Sequence, residues 1–147
     1  MKHDAVMLMG RIHDLTRKWL RDELVARGLE GVAPSHGDVL ALLFMQGDVT
    51  MHELAAFAHR TRPTTTVLVD KLEAMGLVRR RASNVDARNV VVALTQDSEA
   101  LRGRFKDISR KLVMRIYSPL SKDEGETFER LLKKVLVNLE NQTRKEQ

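Results

Sequence analysis

Hydrophobic residues recur at intervals of three and four positions in three stretches of the chain: residues 5–28, residues 99–117 and the segment from Ser121 onwards. This period is typical of an amphipathic helix, so each stretch is predicted to form one. The third begins with Ser121 and Glu124, whose side chains can each satisfy a free backbone group at a helix start. The three apolar faces are long for so small a core. They pack either on one another as a bundle or on the same faces of a second copy.

Two short helices joined by a polar turn are predicted in the middle of the chain. Thr50 and Glu53 have the spacing of a capping box, so the first helix begins there. Pro63 is tolerated in the first turn of the second helix, which ends at Gly76. An earlier helix, within the stretch from Val32 to Phe44 and started by Pro34, would form the scaffold of the pair, and Gly47 would close it. This arrangement is a helix-turn-helix.

A β-hairpin with a polar tip is predicted after the helix-turn-helix, because the pattern alternates with period two over residues 77–82 and 90–94. Between His59 and Val90 there are seven Lys or Arg and three acidic residues, so +4 (seven minus three) of the chain's net +5 lies in this window. Such a local excess attracts phosphates. A run of three arginines on a strand is also typical of a solvated edge that prevents aggregation, which leaves two interpretations.

Arg62 and three consecutive threonines, residues 64–66, open the second helix of the helix-turn-helix. β-branched residues in a row are poor helix formers, so helix propensity does not explain them. In a helix that enters the DNA major groove, their hydroxyls would reach phosphates and base edges and their methyl groups would meet thymine methyls. A helix start chosen for capping explains the same residues. The basic hairpin that follows favours DNA contact.

The run from Glu53 to Thr95 resembles the MarR family of bacterial transcription regulators. The resemblance rests on the segment Asp-Lys-Leu-Glu-Ala-Met-Gly-Leu-Val at residues 70–78, on Asp86-Ala87-Arg88, and on Leu94-Thr95. It implies a mainly helical fold, a winged helix-turn-helix with a small β-hairpin wing. It further implies that Arg88 enters the minor groove and that Asp86 orients it through an ion pair.

The resemblance also implies a division of the chain into two regions. Residues 33–95 would form the DNA-binding domain, and residues 1–32 and 96–147 a helical dimerisation region. A homodimer with two recognition helices is therefore favoured over a bundle within one chain. The residues predicted to contact double-stranded DNA are Arg60, Thr61, Arg62, Thr64, Thr65, Thr66, Lys71, Arg79, Arg81, Asp86 and Arg88.

Three positions depart from the family pattern. Ala33 stands where a Ser or Thr helix cap is frequent, and Ser98 replaces a frequent Gly after Leu94-Thr95. Val67 stands where a polar or basic residue commonly faces the groove. The Val67 departure affects the expected base preference and not the expectation of DNA binding.

Composition removes several functional classes. The chain has 147 residues and no cysteine, so disulfides and a thiol-based peroxide sensor are excluded. No run approaches the roughly 18 apolar residues of a membrane span, and no apolar signal region follows the start, so a cytoplasmic protein is expected. A Gly-rich phosphate loop and closely spaced histidine ligands are also missing, so neither an enzyme nor a cofactor is expected. The five histidines are scattered, and a zinc-sensing variant with ligands from distant helices stays open.

We predict a homodimeric regulator, a repressor, that binds a pseudopalindromic operator. The family resemblance implies release by a small effector, anionic and aromatic, although a regulator without a ligand is also possible. Candidate effector contacts are His13, Arg17, Trp19 and His36. Trp19 as a core or interface anchor, Arg17 as a solvated side chain and His36 as part of an exposed helix start are the competing interpretations. The alternative function is a winged-helix module for protein interaction or for non-specific architectural DNA binding.

Overall fold

The computed structural model describes residues 4–145, which form six helices and three strands. The helices are α1 (Asp4–Ala26), α2 (Pro34–Gln46), α3 (Met51–Phe57), α4 (Arg62–Ala74), α5 (Gln96–Tyr117) and α6 (Lys122–Lys145). The strands are β1 (Val49–Thr50), β2 (Val78–Ala82) and β3 (Val90–Leu94). No helix in this part of the chain has both the length and the apolar character needed to cross a membrane. The predicted mainly helical fold with a small hairpin is confirmed.

The three strands form one antiparallel sheet in the order β1-β3-β2. The predicted hairpin is β2 and β3, which pair from Val78 opposite Leu94 to Ala82 opposite Val90. The outer strand β1 was not predicted. It has two residues, too few to show an alternating pattern, and it pairs with the middle of β3.

Local hydrogen bonds explain where several helices begin and end. Thr50 Oγ1 accepts from the Glu53 N–H at 3.2 Å, while Glu53 Oε2 accepts from the Thr50 N–H at 2.7 Å. Ser121 and Glu124 make the same reciprocal pair at 3.3 and 2.8 Å. Both predicted capping boxes are therefore confirmed. Gly76, with φ of 71°, closes α4 in the left-handed conformation that glycine adopts at low cost.

Helix α2 begins without a Ser or Thr cap. The Nδ1 atom of His36 instead accepts a hydrogen bond from the Ala33 N–H at 3.0 Å, and the His36 N–H donates to the Ala33 carbonyl at 2.9 Å. His36 is buried, and this burial lowers the pKa of its imidazole, with a smaller contribution from Lys71. A neutral histidine therefore satisfies the Ala33 N–H, the half of a capping box that needs no polar side chain at position 33.

One hydrophobic core surrounds the helix-turn-helix. Its fully buried side chains come from α2, α3, α4 and the sheet, and they include Leu40, Leu43, Leu54, Val69, Leu72 and Val92. Leu24 from α1 and Ile108 from α5 belong to the same core, and Trp19 is partly buried against it. The core thus draws on residues outside 33–95, and the predicted division into DNA-binding and dimerisation regions stays a prediction about function.

The chain divides into two compact units, the first ending at Ser109 and the second beginning at Arg110. In the second unit, the Tyr117 ring meets Phe128 edge-on with centroids 6.5 Å apart, and its hydroxyl donates to Glu129 at 2.7 Å. Gly125 is the only residue of α6 that this chain buries. A Cβ atom there would lie 3.2 Å from the Tyr117 ring, so the site favours glycine.

Candidate nucleic-acid interface

Helix α4 is fixed to the core by one face and leaves the other exposed. Its N-cap is Thr61, whose Oγ1 accepts from the Thr64 N–H at 3.4 Å, and Pro63 occupies the first turn. The buried residues of α4 are Thr65, Leu68, Val69 and Leu72. The residues it exposes include Arg62, Thr64, Thr66, Val67 and Lys71. The exposed face carries most of the positions that sequence predicted for DNA contact.

The threonine hydroxyls of α4 make bonds within the helix. Thr61 Oγ1 donates to Thr64 Oγ1 at 3.0 Å, and Thr66 Oγ1 donates to the Arg62 carbonyl at 3.0 Å. Each of these threonines keeps acceptor capacity and an exposed methyl group. These bonds use the hydroxyl protons of Thr61 and Thr66, whereas among residues 4–145 the Thr64 hydroxyl only accepts and keeps its own proton. Helix capping and DNA contact therefore remain compatible interpretations of the threonine cluster.

The prediction that Thr65 contacts DNA needs correction. Its side chain is 0% exposed, and its hydroxyl donates to the Thr61 carbonyl at 3.0 Å. A residue at this position points into the core because it shares a face with Leu68, Val69 and Leu72. The run of three threonines hid this alternation between buried and exposed positions. Thr65 therefore leaves the set of candidate DNA contacts.

The hairpin tip, residues 83–89, is ordered by hydrogen bonds between residues of the tip itself. Ser83 Oγ accepts from the backbone N–H groups of Val85 at 3.2 Å and Asp86 at 3.4 Å. Asn89 closes the turn, because its N–H donates to the Asp86 carbonyl and its carbonyl accepts from Ser83. These bonds hold Asp86 in place beneath Arg88.

Arg88 projects from the tip and is held at its base by Asp86. Its side chain is 91% exposed, yet its Nε donates to Asp86 Oδ1 at 3.1 Å and one terminal nitrogen donates to Oδ2 at 3.3 Å. The Arg88 N–H adds a third bond to Oδ1 at 3.0 Å. These bonds lower the pKa of Asp86, the side-chain bond most strongly. The ion pair that the family resemblance implied is present in the structure.

Arg80 joins the hairpin to α4. One of its terminal nitrogens donates to Glu73 at 2.6 Å and the other to Asp70 at 2.6 Å, and its own N–H donates to Glu73 at 3.0 Å. Asp70 and Glu73 are three positions apart, so both lie on the side of α4 that meets β2. Sequence reasoning counted Arg80 only as positive charge and missed this link. Its two carboxylate partners neutralise it and align the wing with α4.

The remaining basic residues divide into paired and unpaired groups. Arg81 forms an ion pair with Asp48 and donates to Asn84 at 3.1 Å. Within residues 4–145, the side chains of Arg62, Lys71 and Arg79 make no hydrogen bond or ion pair. The charge available to an outside anion therefore lies on these three residues, on the exposed Arg60 and on the exposed end of Arg88.

A smaller charged group lies at the start of α2. Partial loss of solvent around the Asp38 carboxyl raises its pKa, and the nearby positive charges of Arg60 and Arg17 oppose that rise. Arg60 is exposed in the turn of the helix-turn-helix, and its charge is close enough to interact with that of Asp38. Arg17, a predicted effector contact, takes part in the same group.

The other predicted effector contacts have different surroundings. His13 is exposed and lies 3.6 Å from Asp14, whereas Trp19 packs against the core and His36 caps α2. Their role in ligand binding stays a prediction. Among the described residues, no three His, Asp or Glu side chains are grouped in a way that would hold a metal ion.

Sequence comparison bears on this geometry. A model of the MarR family matches residues 33–90, the region that runs from the start of α2 to the hairpin. The HTH-type transcriptional regulator MgrA of Staphylococcus aureus is 32% identical over 98 residues, 67% of this chain. The chain belongs to the MarR family. The match spans 65% of MgrA, so this MarR-family chain aligns with just under two thirds of that relative.

Solved structures share the fold. A MarR-family transcriptional regulator from Silicibacter pomeroyi has a TM-score of 0.71 and 29% identity, and the match covers 91% of this chain and 88% of that one. The MepR–DNA complex from Staphylococcus aureus has a TM-score of 0.79 and 24% identity, covering 95% and 98% of the two chains. The likeness to MepR shows that this MarR-family chain has the same winged helix-turn-helix fold.

Proposed function

We propose that this MarR-family chain is a sequence-specific DNA-binding transcriptional regulator. Helix α4 enters the major groove with Arg62, Thr64 and Thr66 towards the DNA, and the wing places Arg88 in the adjacent minor groove. The observation that carries this proposal is the held but exposed Arg88, because an arginine fixed at its base and solvated at its end is ready to meet a new anion. MepR, which shares the fold, is solved as a DNA complex.

Contacts to the DNA phosphates and contacts to the bases have separate roles in this proposal. Arg60, Lys71 and Arg79 would bind phosphates and set the position of the protein on the duplex. Arg81 would add a phosphate contact by exchanging its Asp48 partner for the phosphate. The Asp86 carboxylate would act indirectly, by holding the Arg88 guanidinium at the angle that enters the groove. Thr61 would contribute through its cap, which fixes the first turn of α4. Side chains on the exposed face of α4 would select the bases.

We further propose a homodimer formed by the terminal helices, residues 1–32 and 96–147. Leucine and valine side chains of α6 are exposed in this chain, and those of the first half of α1 are exposed as well. Large apolar patches of this kind usually mark an interaction surface. A two-fold dimer would present two copies of α4 and would therefore match a pseudopalindromic operator.

Repression, and release by a small anionic or aromatic effector, complete the proposal. Arg17 is the predicted effector contact that the charge arrangement favours, since it lies with Arg60 near Asp38. A charged effector that altered this group would act close to the helix-turn-helix. His13, Trp19 and His36 stay as weaker candidates.

Binding to a selected duplex tests the proposal. The purified full-length chain is used to select a preferred sequence from random DNA, and affinities for that duplex and a scrambled one are then compared at moderate salt. We expect the selected duplex to bind at least roughly 1,000-fold tighter. We also expect log affinity to fall linearly with log salt, since each phosphate contact releases condensed counterions. Equal binding of both duplexes would instead support the architectural alternative, and no binding would exclude both.

A further inference from the structure

The exposed face of α4 has an apolar centre. Val67 is 53% exposed, although it lies in the middle of a helix whose neighbouring surface is polar. Its side chain is not part of the core formed by Leu68, Val69 and Leu72. Its place on the proposed DNA-reading face is therefore not explained by folding.

Helical geometry shows how directly Val67 faces outward. At 3.6 residues per turn, it lies about 200° around the helix axis from the buried Thr65. Pro63, one turn earlier, and Ala74, two turns later, fall along nearly the same line, and both are exposed. Residues 63, 67 and 74 are thus isolated apolar positions on an otherwise polar outer face, and Val67 has the largest side chain of the three.

Val67 itself offers a base edge only methyl groups, and of the hydroxyls beside it the one on Thr64 keeps a free proton in the described part of the chain while the one on Thr66 does not. The Thr66 hydroxyl donates to the Arg62 carbonyl, and the Thr61 hydroxyl donates to Thr64. A base edge opposite the centre of α4 would meet methyl groups. In the major groove, the apolar group that a base presents is the 5-methyl of thymine, and cytosine has no such group.

We infer that Val67 contacts the 5-methyl group of a thymine in each operator half-site and so selects thymine over cytosine at that position. This inference rests on the proposed entry of α4 into the major groove. According to this inference, the apolar contact made by Val67 determines the preferred base. Arg62 and Lys71, which flank Val67 on α4, supply positive charge. The preferred DNA class is therefore a duplex with a thymine opposite the middle of α4.

Deoxyuridine substitution tests the inference, because it removes the 5-methyl and leaves base pairing intact. Thymines of the selected duplex are replaced one at a time, and affinities are measured for wild type and Val67→Ala. Wild type should lose about 4-fold at one thymine of each half-site, the value of burying one methyl group. Val67→Ala removes the contact from both half-sites, so it should bind the thymine duplex about 16-fold more weakly and lose little more with deoxyuridine. Alanine favours helix at this exposed site, so the variant is expected to fold.

Val25→Ala is the matched control, since Val25 is 55% exposed and lies in a helix outside the proposed reading face. It should keep the wild-type deoxyuridine profile even if it changes overall affinity. If wild type selects a duplex but loses nothing at any deoxyuridine, or if Val67→Ala keeps the full wild-type loss, the inference is wrong while the proposed function stands. If no sequence is selected at all, the proposed function itself fails.

Discussion

Helices α4 and α6 both carry apolar residues at helical spacing, but the folded chain buries the apolar face of α4 and leaves that of α6 exposed. Four residues of α4 are buried in the core. In the described part of the chain, residues 4–145, α6 has one buried residue, Gly125. The α6 side chains that match the apolar period are 42–54% exposed, and they are Leu131, Leu132, Val135, Leu136 and Leu139. An apolar pattern therefore predicts that a helix face will be covered but does not say by which chain. For α6 we propose a second copy.

The largest expected effect is on α6. Leu132→Asp would place an unpaired carboxylate in the proposed dimer interface, and the variant should be monomeric where wild type is a dimer. Operator affinity should fall at least roughly 100-fold, because the two half-sites are no longer bound together. Light scattering reports the mass, and a gel-shift titration reports the affinity.

Asn141→Asp is the control for this change. Asn141 lies nine residues from Leu132, about two and a half turns, so it is on the opposite side of α6. It adds the same charge and should leave both mass and affinity unchanged. A wild type that is already monomeric at micromolar concentration would show that the exposed face of α6 is not a dimer interface.

The next effect concerns the wing. Arg88→Ala should weaken operator binding roughly 10-fold, with the larger loss on A·T-rich flanks, where the narrow minor groove attracts an inserted guanidinium most. Asp86→Ala should cause a smaller loss, because it removes a repulsive charge near the phosphates but leaves the arginine loosely held. Affinities on duplexes with A·T-rich and G·C-rich flanks measure both. Tighter binding by Asp86→Ala together with a neutral Arg88→Ala would remove the minor groove from the mechanism.

Substitution of the adjacent Arg79 and Arg80 on β2 distinguishes a charge that supports the fold from a charge that contacts DNA. Arg80→Met removes the link to Asp70 and Glu73 and should lower the free energy of unfolding by about 1 kcal/mol, a modest value because the three side chains are partly solvated. Arg79→Met should leave stability unchanged and reduce the slope of log affinity against log salt by about 2, about 1 for each protomer of the dimer. Urea denaturation and salt titration of both variants provide the comparison. The opposite assignment of the two effects would mean that Arg79, and not Arg80, supports the wing.

The smallest effect is a pH dependence of stability from His36. Its pKa is lowered by burial in the folded state, so below the ordinary value of 6.5 the unfolded chain takes up a proton that the folded chain does not. The free energy of unfolding should therefore fall as the pH is lowered from about 7.5 to about 5.5. In His36→Gln the fall should be smaller, because glutamine does not titrate and the other histidines are unchanged. An equal fall in both proteins would contradict this assignment.

Local signals in the sequence predicted much of the fold. The Thr50 and Ser121 capping boxes, the Gly76 helix end and the β2–β3 hairpin all depend on residues close together in the chain, and all are present. The left-handed closing position of α3 was harder to recognise, because it is occupied by His59, with φ of 49°, and not by glycine.

Features that depend on distant residues were missed. The strand β1 exists because its two residues pair with β3, about forty positions later. The burial of Thr65 and the pairing of Arg80 with Asp70 and Glu73 likewise follow from how α4 packs between the core and the wing. Sequence could therefore identify the basic surface, but it could not show which of its charges are already neutralised.

The mass of the protein–DNA complex tests the central claim most directly, since the claim joins a DNA-reading face on α4 to a dimer interface on α6. Light scattering is measured for wild type mixed with the selected duplex, with the scrambled duplex as control, at protein concentrations around micromolar. We expect two chains on each selected duplex and no intermediate with one chain. A stable complex of one chain per duplex, or equal masses with both duplexes, would contradict the account.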